Sequence, residues 1–164
     1  MLNPKIQDAF NKQINAELFS SYLYLSMSAH FEAENFRGMA HWMRVQAQEE
    51  QKHAMKFFGF INERNGRVTL GQIDAPKAQW KSPLDAFEDA YKHELKISGL
   101  INELVNLAIA EKDHAANNFL QWFVSEQVEE EATALAIREE LKMVGDHTVA
   151  LLIMDKQLAK RAAS

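Results

Sequence analysis

Residues 65–82, NGRVTLGQIDAPKAQWKS, interrupt a chain that is otherwise dominated by long stretches of helical periodicity. This 18-residue segment limits the topology more than any other feature. On either side of it, apolar residues recur at helical spacing. The pattern predicts helices over 5–33 (α1), 36–64 (α2), 83–111 (α3) and 114–143 (α4), and a shorter one over 147–160 (α5). Gly and Pro are scarce, at 6 and 3, and β-branched alternation is nearly absent, so the class is all-α. Ser82-Pro83-Leu84-Asp85 is a strong start signal, with Ser82 as N-cap and Pro83 in the first helical position. Gly66 is expected to end α2, Asp113 to cap α4, and Gly145-Asp146 to separate α4 from α5. Connections of a few residues make α1/α2 and α3/α4 antiparallel hairpins. A helix of about 28 residues is roughly 42 Å long, and about 18 extended residues reach roughly 60 Å. The long segment can therefore run the length of a bundle and leave α2 and α3 parallel. The expected fold is a four-helix bundle with one long crossover and a short fifth helix.

The 164 residues suit one domain spanning 1–164. Charged residues make up 25% and apolar residues 47%, an ordinary soluble balance. A net charge of −5, without any Lys/Arg-rich run, argues against nucleic-acid binding. The terminal LAKRAAS reads as a short tail rather than a nucleic-acid arm. The absence of cysteine excludes disulfides, thiolate metal sites and cysteine nucleophiles. MLNPKIQDAFNKQ lacks the apolar core of a signal peptide. No apolar run approaches the roughly 20 residues of a membrane span. A cytoplasmic protein without membrane association is expected.

Each residue turns a helix by about 100°, so the residues sharing a face can be counted. In α1, Ile6, Phe10, Glu17, Ser21, Tyr24, Ser28 and Phe31 point one way. In α2 the stripe is Met39, Met43, Gln46, Glu50, Ala54, Phe57 and Ile61, with His53 at its edge. In α3 it is Phe87, Ala90, Glu94, Ser98, Ile101, Val105 and Ala108. In α4 it is Phe119, Phe123, Glu126, Glu130, Ala134, Ile137 and Leu141, with Gln127 beside it. Every long helix carries an acidic residue at the centre of the stripe that should be core.

One such Glu is explained by a side chain that reaches out to water, and one Glu-x-x-His by an exposed pair. Four at mid-helix in four helices are another matter. Carboxylates buried together repel and are costly unless protons or cations neutralise them. A pair of metal ions does this directly, and an oxygen-rich site with one imidazole suits iron or manganese. Dinuclear bundles take one Glu from each of two helices and Glu-x-x-His from each of the others. Glu17 and Glu94 fill the first role, and Glu50 with His53 the second. On α4 the pattern departs, with Gln127-x-x-Glu130 in place of Glu-x-x-His. One metal position is therefore expected at Glu17, Glu50 and His53. The other falls at Glu50, Glu94 and Glu130 with Gln127 near, and without imidazole it should hold its ion more loosely.

NKQINAELFSSYLY around Glu17, AQEEQKH, YKHE and NFLQWFVSEQVEEE resemble, in order and separation, the iron-site segments of the bacterial non-haem ferritins. The resemblance covers essentially the whole chain, including the crossover and α5. It implies a ferritin-like fold and a hollow 24-subunit shell, a ferroxidase that oxidises Fe(II) with O₂ or H₂O₂ and stores Fe(III) mineral. It further implies that Glu17, Glu50, His53, Glu94, Gln127 and Glu130 are the ferroxidase ligands and their neighbours. Glu49, Glu126 and Glu129 match a third, inner iron site, and Tyr24 matches a one-electron donor beside the centre. Bacterioferritins place a haem-ligating Met directly after the α2 Glu; here that residue is Gln51, so no haem is expected. Rubrerythrin-like peroxidases need a cysteine-ligated iron, which this chain cannot build.

The methionines read mostly as core fillers, and Trp42, Trp80 and Trp122 as packing residues. His30, His41, His93, His114 and His147 show no paired spacing and are expected to be ordinary. Val149, Leu151, Leu152, Ile153 and Met154 make α5 apolar nearly all round, so its burial between subunits at a symmetry axis is expected. Two other classes stay open on the residues alone. One is a bundle that binds metal only structurally, the other a dinuclear enzyme acting on an organic substrate.

Overall fold

The computed structural model describes residues 1–163. Among them are α1 (Pro4–Ala33), α2 (Arg37–Glu63), α3 (Pro83–Ala110), α4 (His114–Val144) and α5 (Thr148–Leu158), and no strand. Local chemistry starts most of these helices. Asn3 Oδ1 accepts from the Lys5 N–H at 2.8 Å, Ser82 Oγ from Asp85 at 3.1 Å, and Asp113 Oδ1 from Ala116 at 2.9 Å. Pro4 and Pro83 occupy first-turn positions, where a missing N–H costs nothing. α2 differs, because Phe36 offers no capping side chain. Its Met39 N–H donates instead to Asp155 Oδ1 of α5, at 2.8 Å.

The first three helices end alike. Asn35, Asn65 and Lys112 take φ of 64°, 55° and 55°, and the next residue bonds back five positions. These bonds are Phe36 N–H to Phe31 carbonyl at 2.9 Å, Gly66 to Ile61 at 2.8 Å and Asp113 to Ala108 at 2.9 Å. Asn65, not Gly66, thus supplies the left-handed residue that ends α2. Gly66 is needed for space, since a Cβ there would stand 2.9 Å from Gln7 Oε1 and 3.0 Å from Ile61 Cγ2. Gly145, with φ of 59°, does end α4 as expected.

Buried apolar side chains form two clusters. One gathers Tyr24, Met27, Phe31, Met39, Met43, Phe87, Ala90, Ile137 and Leu141. The other gathers Ile6, Phe10, Ile14, Phe57, Ile61, Ile101, Leu104, Leu120 and Phe123. The N-terminal halves of α2 and α3 share a cluster, so these helices are parallel, as the long crossover requires. The crossover is pinned along α1: Asn11, Asn15 and Ser26 side chains donate to the carbonyls of Arg67, Gln72 and Lys77 at 3.0, 3.1 and 2.6 Å. Between the two apolar clusters, all four long helices contribute buried polar residues.

α5 lies against α2 and α4 of its own chain. Met154 is buried there, whereas Val149, Leu152 and Ile153 are 61%, 48% and 55% exposed. No helix among the described residues is long and apolar enough to cross a membrane.

Candidate metal centre

The buried polar belt brings Glu17 of α1, Glu50 and His53 of α2, Glu94 of α3 and Glu130 of α4 together. One ligand atom each from Glu17, Glu50 and His53 lie within 4.8 Å of one another. The same holds for Glu50, Glu94 and Glu130, so the two triads share Glu50. These are the two groupings that helical spacing suggested. His53 Nδ1 is 3.1 Å from Glu50 Oε2 and 3.9 Å from Glu17 Oε2.

Amides hold the carboxylates from behind. Gln13 Nε2 donates to Glu17 Oε1 at 2.9 Å, and Gln46 Nε2 to Glu50 Oε1 at 3.0 Å and Glu130 Oε2 at 2.9 Å. In both helices the Gln lies four residues before its Glu, on the same face. That spacing is the sequence signal for Gln13, which the apolar stripes passed over. Gln127 Nε2 reaches Glu94 Oε2 at 3.2 Å, the Glu94 carbonyl at 3.3 Å and Ser98 Oγ at 3.2 Å. The Tyr24 hydroxyl donates to Glu94 Oε1. By contrast, Glu17 Oε2 is fully buried and has no hydrogen-bond partner among the described residues. A buried acceptor without a donor is costly, and a cation facing both Glu17 and His53 removes the cost. Hard oxygen donors with one imidazole fit Fe(II).

Burial, reinforced by Glu50, pushes the Glu17 carboxyl well above its ordinary range. Burial does the same to Glu50, with Glu94 and Glu130 adding repulsion. Glu94 is raised by burial against the hydrogen bonds from Tyr24 and Gln127. Glu130 is pushed up to about 7, by burial first and Glu94 second. Burial and Glu94 also raise the Tyr24 phenol, which therefore stays a neutral donor. Such a cluster carries protons when metal-free, and entering cations release them.

Glu126 joins His53 and Glu130 in a third group within 4.8 Å. Glu49 and Glu129 belong to none of these groups among the described residues, but both lie near Glu126: burial raises the Glu126 carboxyl, and the charges of Glu129 and Glu49 add to the rise. Glu49 Oε2 meets Arg161 Nη2 at 2.8 Å. His93 is buried with its Nε2 2.7 Å from Ser20 Oγ; burial holds its imidazole down to about 4, and it belongs to none of the metal-holding groups found among the described residues. Trp122 stands edge-on to His53, with ring centroids 5.3 Å apart.

Parallel central helices, a long crossover and carboxylate-rich triads that share Glu50 and could hold a metal ion define a helical bundle with a metal-competent polar centre. Residues 7–144 match the family described as Ferritin-like domain. The chain is 47% identical over 161 residues to the bacterial non-heme ferritin of Bacteroides fragilis, covering 98% of this chain and 100% of that one. It is 38% identical over 164 residues to that of Campylobacter jejuni, covering 100% and 98%. Among solved structures, the open pore ferritin of the hyperthermophilic archaeon Archaeoglobus fulgidus superposes with a TM-score of 0.98 at 51% identity, covering 99% of this chain and 100% of that one. The chain belongs to the ferritin family, in the group of the bacterial non-haem ferritins.

Proposed function

We propose that this chain is the ferroxidase subunit of a 24-subunit iron-storage shell, folded as a single domain over 1–164 and working in the cytoplasm. Family membership supports iron storage and ferroxidase activity in general. The observation that carries the finer reading is Glu50, whose carboxylate belongs to two triads at once. One Fe(II) binds at Glu17, Glu50 and His53, the other at Glu50, Glu94 and Glu130, and the displaced carboxyl protons leave. Each iron gives up one electron. O₂ takes both, with two protons, to become H₂O₂, or peroxide takes both and is reduced to water. The protein supplies ligand positions and charge, and the redox chemistry belongs to the iron.

Gln46 and Gln127 orient the carboxylates, and the Tyr24 hydroxyl donates to Glu94, a contact that supports reading it as a one-electron donor able to replace the electron of one iron. The second position lacks imidazole, so its Fe(III) leaves more readily. It departs through an inner site of Glu49, Glu126 and Glu129 to the mineral. Gln51 in place of a ligating Met argues for a haem-free protein. The test is anaerobic titration with Fe(II), followed by air. Two ions per chain and oxidation faster than in buffer are expected; oxidation no faster than in buffer refutes the ferroxidase reading.

A further inference from the structure

The segment after α5 reaches back to the metal centre along one stripe of α2, formed by Gly38, Trp42, Gln46 and Glu49. Gly38 fixes the start of the contact, because a Cβ there would stand 1.8 Å from the Asp155 carbonyl oxygen. Asp155 Oδ1 then accepts the Met39 N–H at 2.8 Å. Further along, the Arg161 carbonyl is 2.8 Å from His41 Nε2. The Arg161 guanidinium lies over the Trp42 ring, 4.3 Å from its centroid. Its Nη1 donates to the Trp42 carbonyl at 3.2 Å, and its Nη2 to Gln46 Oε1 and Glu49 Oε2, both at 2.8 Å. Gln46 meets Arg161 through Oε1, while its Nε2 holds Glu50 and Glu130 independently of that contact.

We infer that Arg161 is a built-in cation that occupies Glu49 and must be displaced before Glu49 can serve an ion leaving the dinuclear centre. The inference rests on the proposed function in taking Glu49 as an inner-site carboxylate. Guanidinium never loses its charge at ordinary pH, so only a competing cation or movement of the terminal segment releases Glu49. The pair is worth more than an ordinary surface one, because both side chains are 19% exposed and an aromatic ring fixes the guanidinium plane. The docking of α5 thereby sets the affinity of the inner position and leaves the ligands of the two oxidation positions in place.

Calorimetric titration of the whole assembly with Co(II), which is not oxidised under these conditions, tests this. Two tighter ions and a weaker third per chain are expected in wild type. Arg161→Gln should bind the third ion about tenfold more tightly and leave the first two unchanged. Glu49→Gln should remove the third ion and make the Arg161 substitution silent. Arg161→Lys keeps the charge but cannot fork between Gln46 and Glu49, and should tighten the third ion about threefold. It serves in place of the Gln variant if that one fails to assemble, as light scattering would show. An unchanged or weaker third ion in the assembled variants overturns the inference. If wild type shows no tight pair, the dinuclear reading itself fails and takes this one with it.

Discussion

Glu50 has two oxygens, and each triad needs one of them. Glu50→Ala therefore strips both positions at once, and His53→Ala removes the only imidazole of the first. Stopped-flow oxidation should fall at least about 100-fold in each variant, since even indirect supports of a metal site are worth about 10–100-fold. Retention of the fast phase in Glu50→Ala would disprove its bridging role. The neighbouring Glu130 gives the centre a pH dependence. Its carboxyl sits at about 7 in the folded chain against 4.5 ordinarily, so the folded state binds the extra proton between those values. Its contribution to metal-free stability is thus present below about 4.5 and is lost as pH rises through about 7, on the order of 3 kcal/mol. His93 has the opposite sign: lowered from 6.5 to about 4, its contribution is present above 6.5 and lost as pH falls. It is common to both proteins in a comparison with Glu130→Gln, where the glutamine cannot ionise. Melting of the metal-free proteins should show the variant gaining on wild type between pH 5 and pH 8, two settings on the order of the pKa interval. An equal difference at both settings would count against a proton held by Glu130.

Among the elements, α2 depends on another helix for its start, because Asp155 of α5 supplies the cap that Phe36 lacks. Asp155→Ala should cost about 1 kcal/mol, as other cap removals do. Gly38→Ala should act more strongly, because its methyl would collide with the Asp155 backbone rather than with a flexible side chain. Hydrogen exchange over Thr148–Leu158 should quicken in both variants; unaltered protection would mean that α5 is held elsewhere. These contacts also mark where reading from sequence stops. Helix limits and acidic stripes were legible because periodicity and caps such as Ser82 and Asp113 are local. Asn65 in place of Gly66 was not, since either residue tolerates the left-handed turn and the choice was made by space against Gln7 and Ile61. Gln13 was legible only through its spacing to Glu17. Arg161 lies in a segment without periodicity, and its partners are more than a hundred residues away, so no local pattern announces it.

At the scale of the whole molecule, α5 has two sides with different fates. One is used within the chain, where Met154 and Asp155 meet α2 and its surroundings. The other leaves Val149, Leu152 and Ile153 at 61%, 48% and 55% exposure, three apolar side chains on one short helix. Such a face is expected against copies of itself in a closed shell. Ending the chain at Gly145 would test this only roughly, because it also removes the Asp155 cap and Arg161. Ile153→Lys is cleaner. Its side chain is already half in water, so within one chain the change should stay inside about 0.5 kcal/mol, as for surface sites generally. Between chains it brings like charges together around a symmetry axis. Light scattering should then report a smaller particle, while the two tight Co(II) positions persist because their ligands lie on α1 to α4. An unchanged particle mass would show that this face of α5 is not an interface. A smaller particle with both positions intact would show that ion binding at these two positions needs only the bundle.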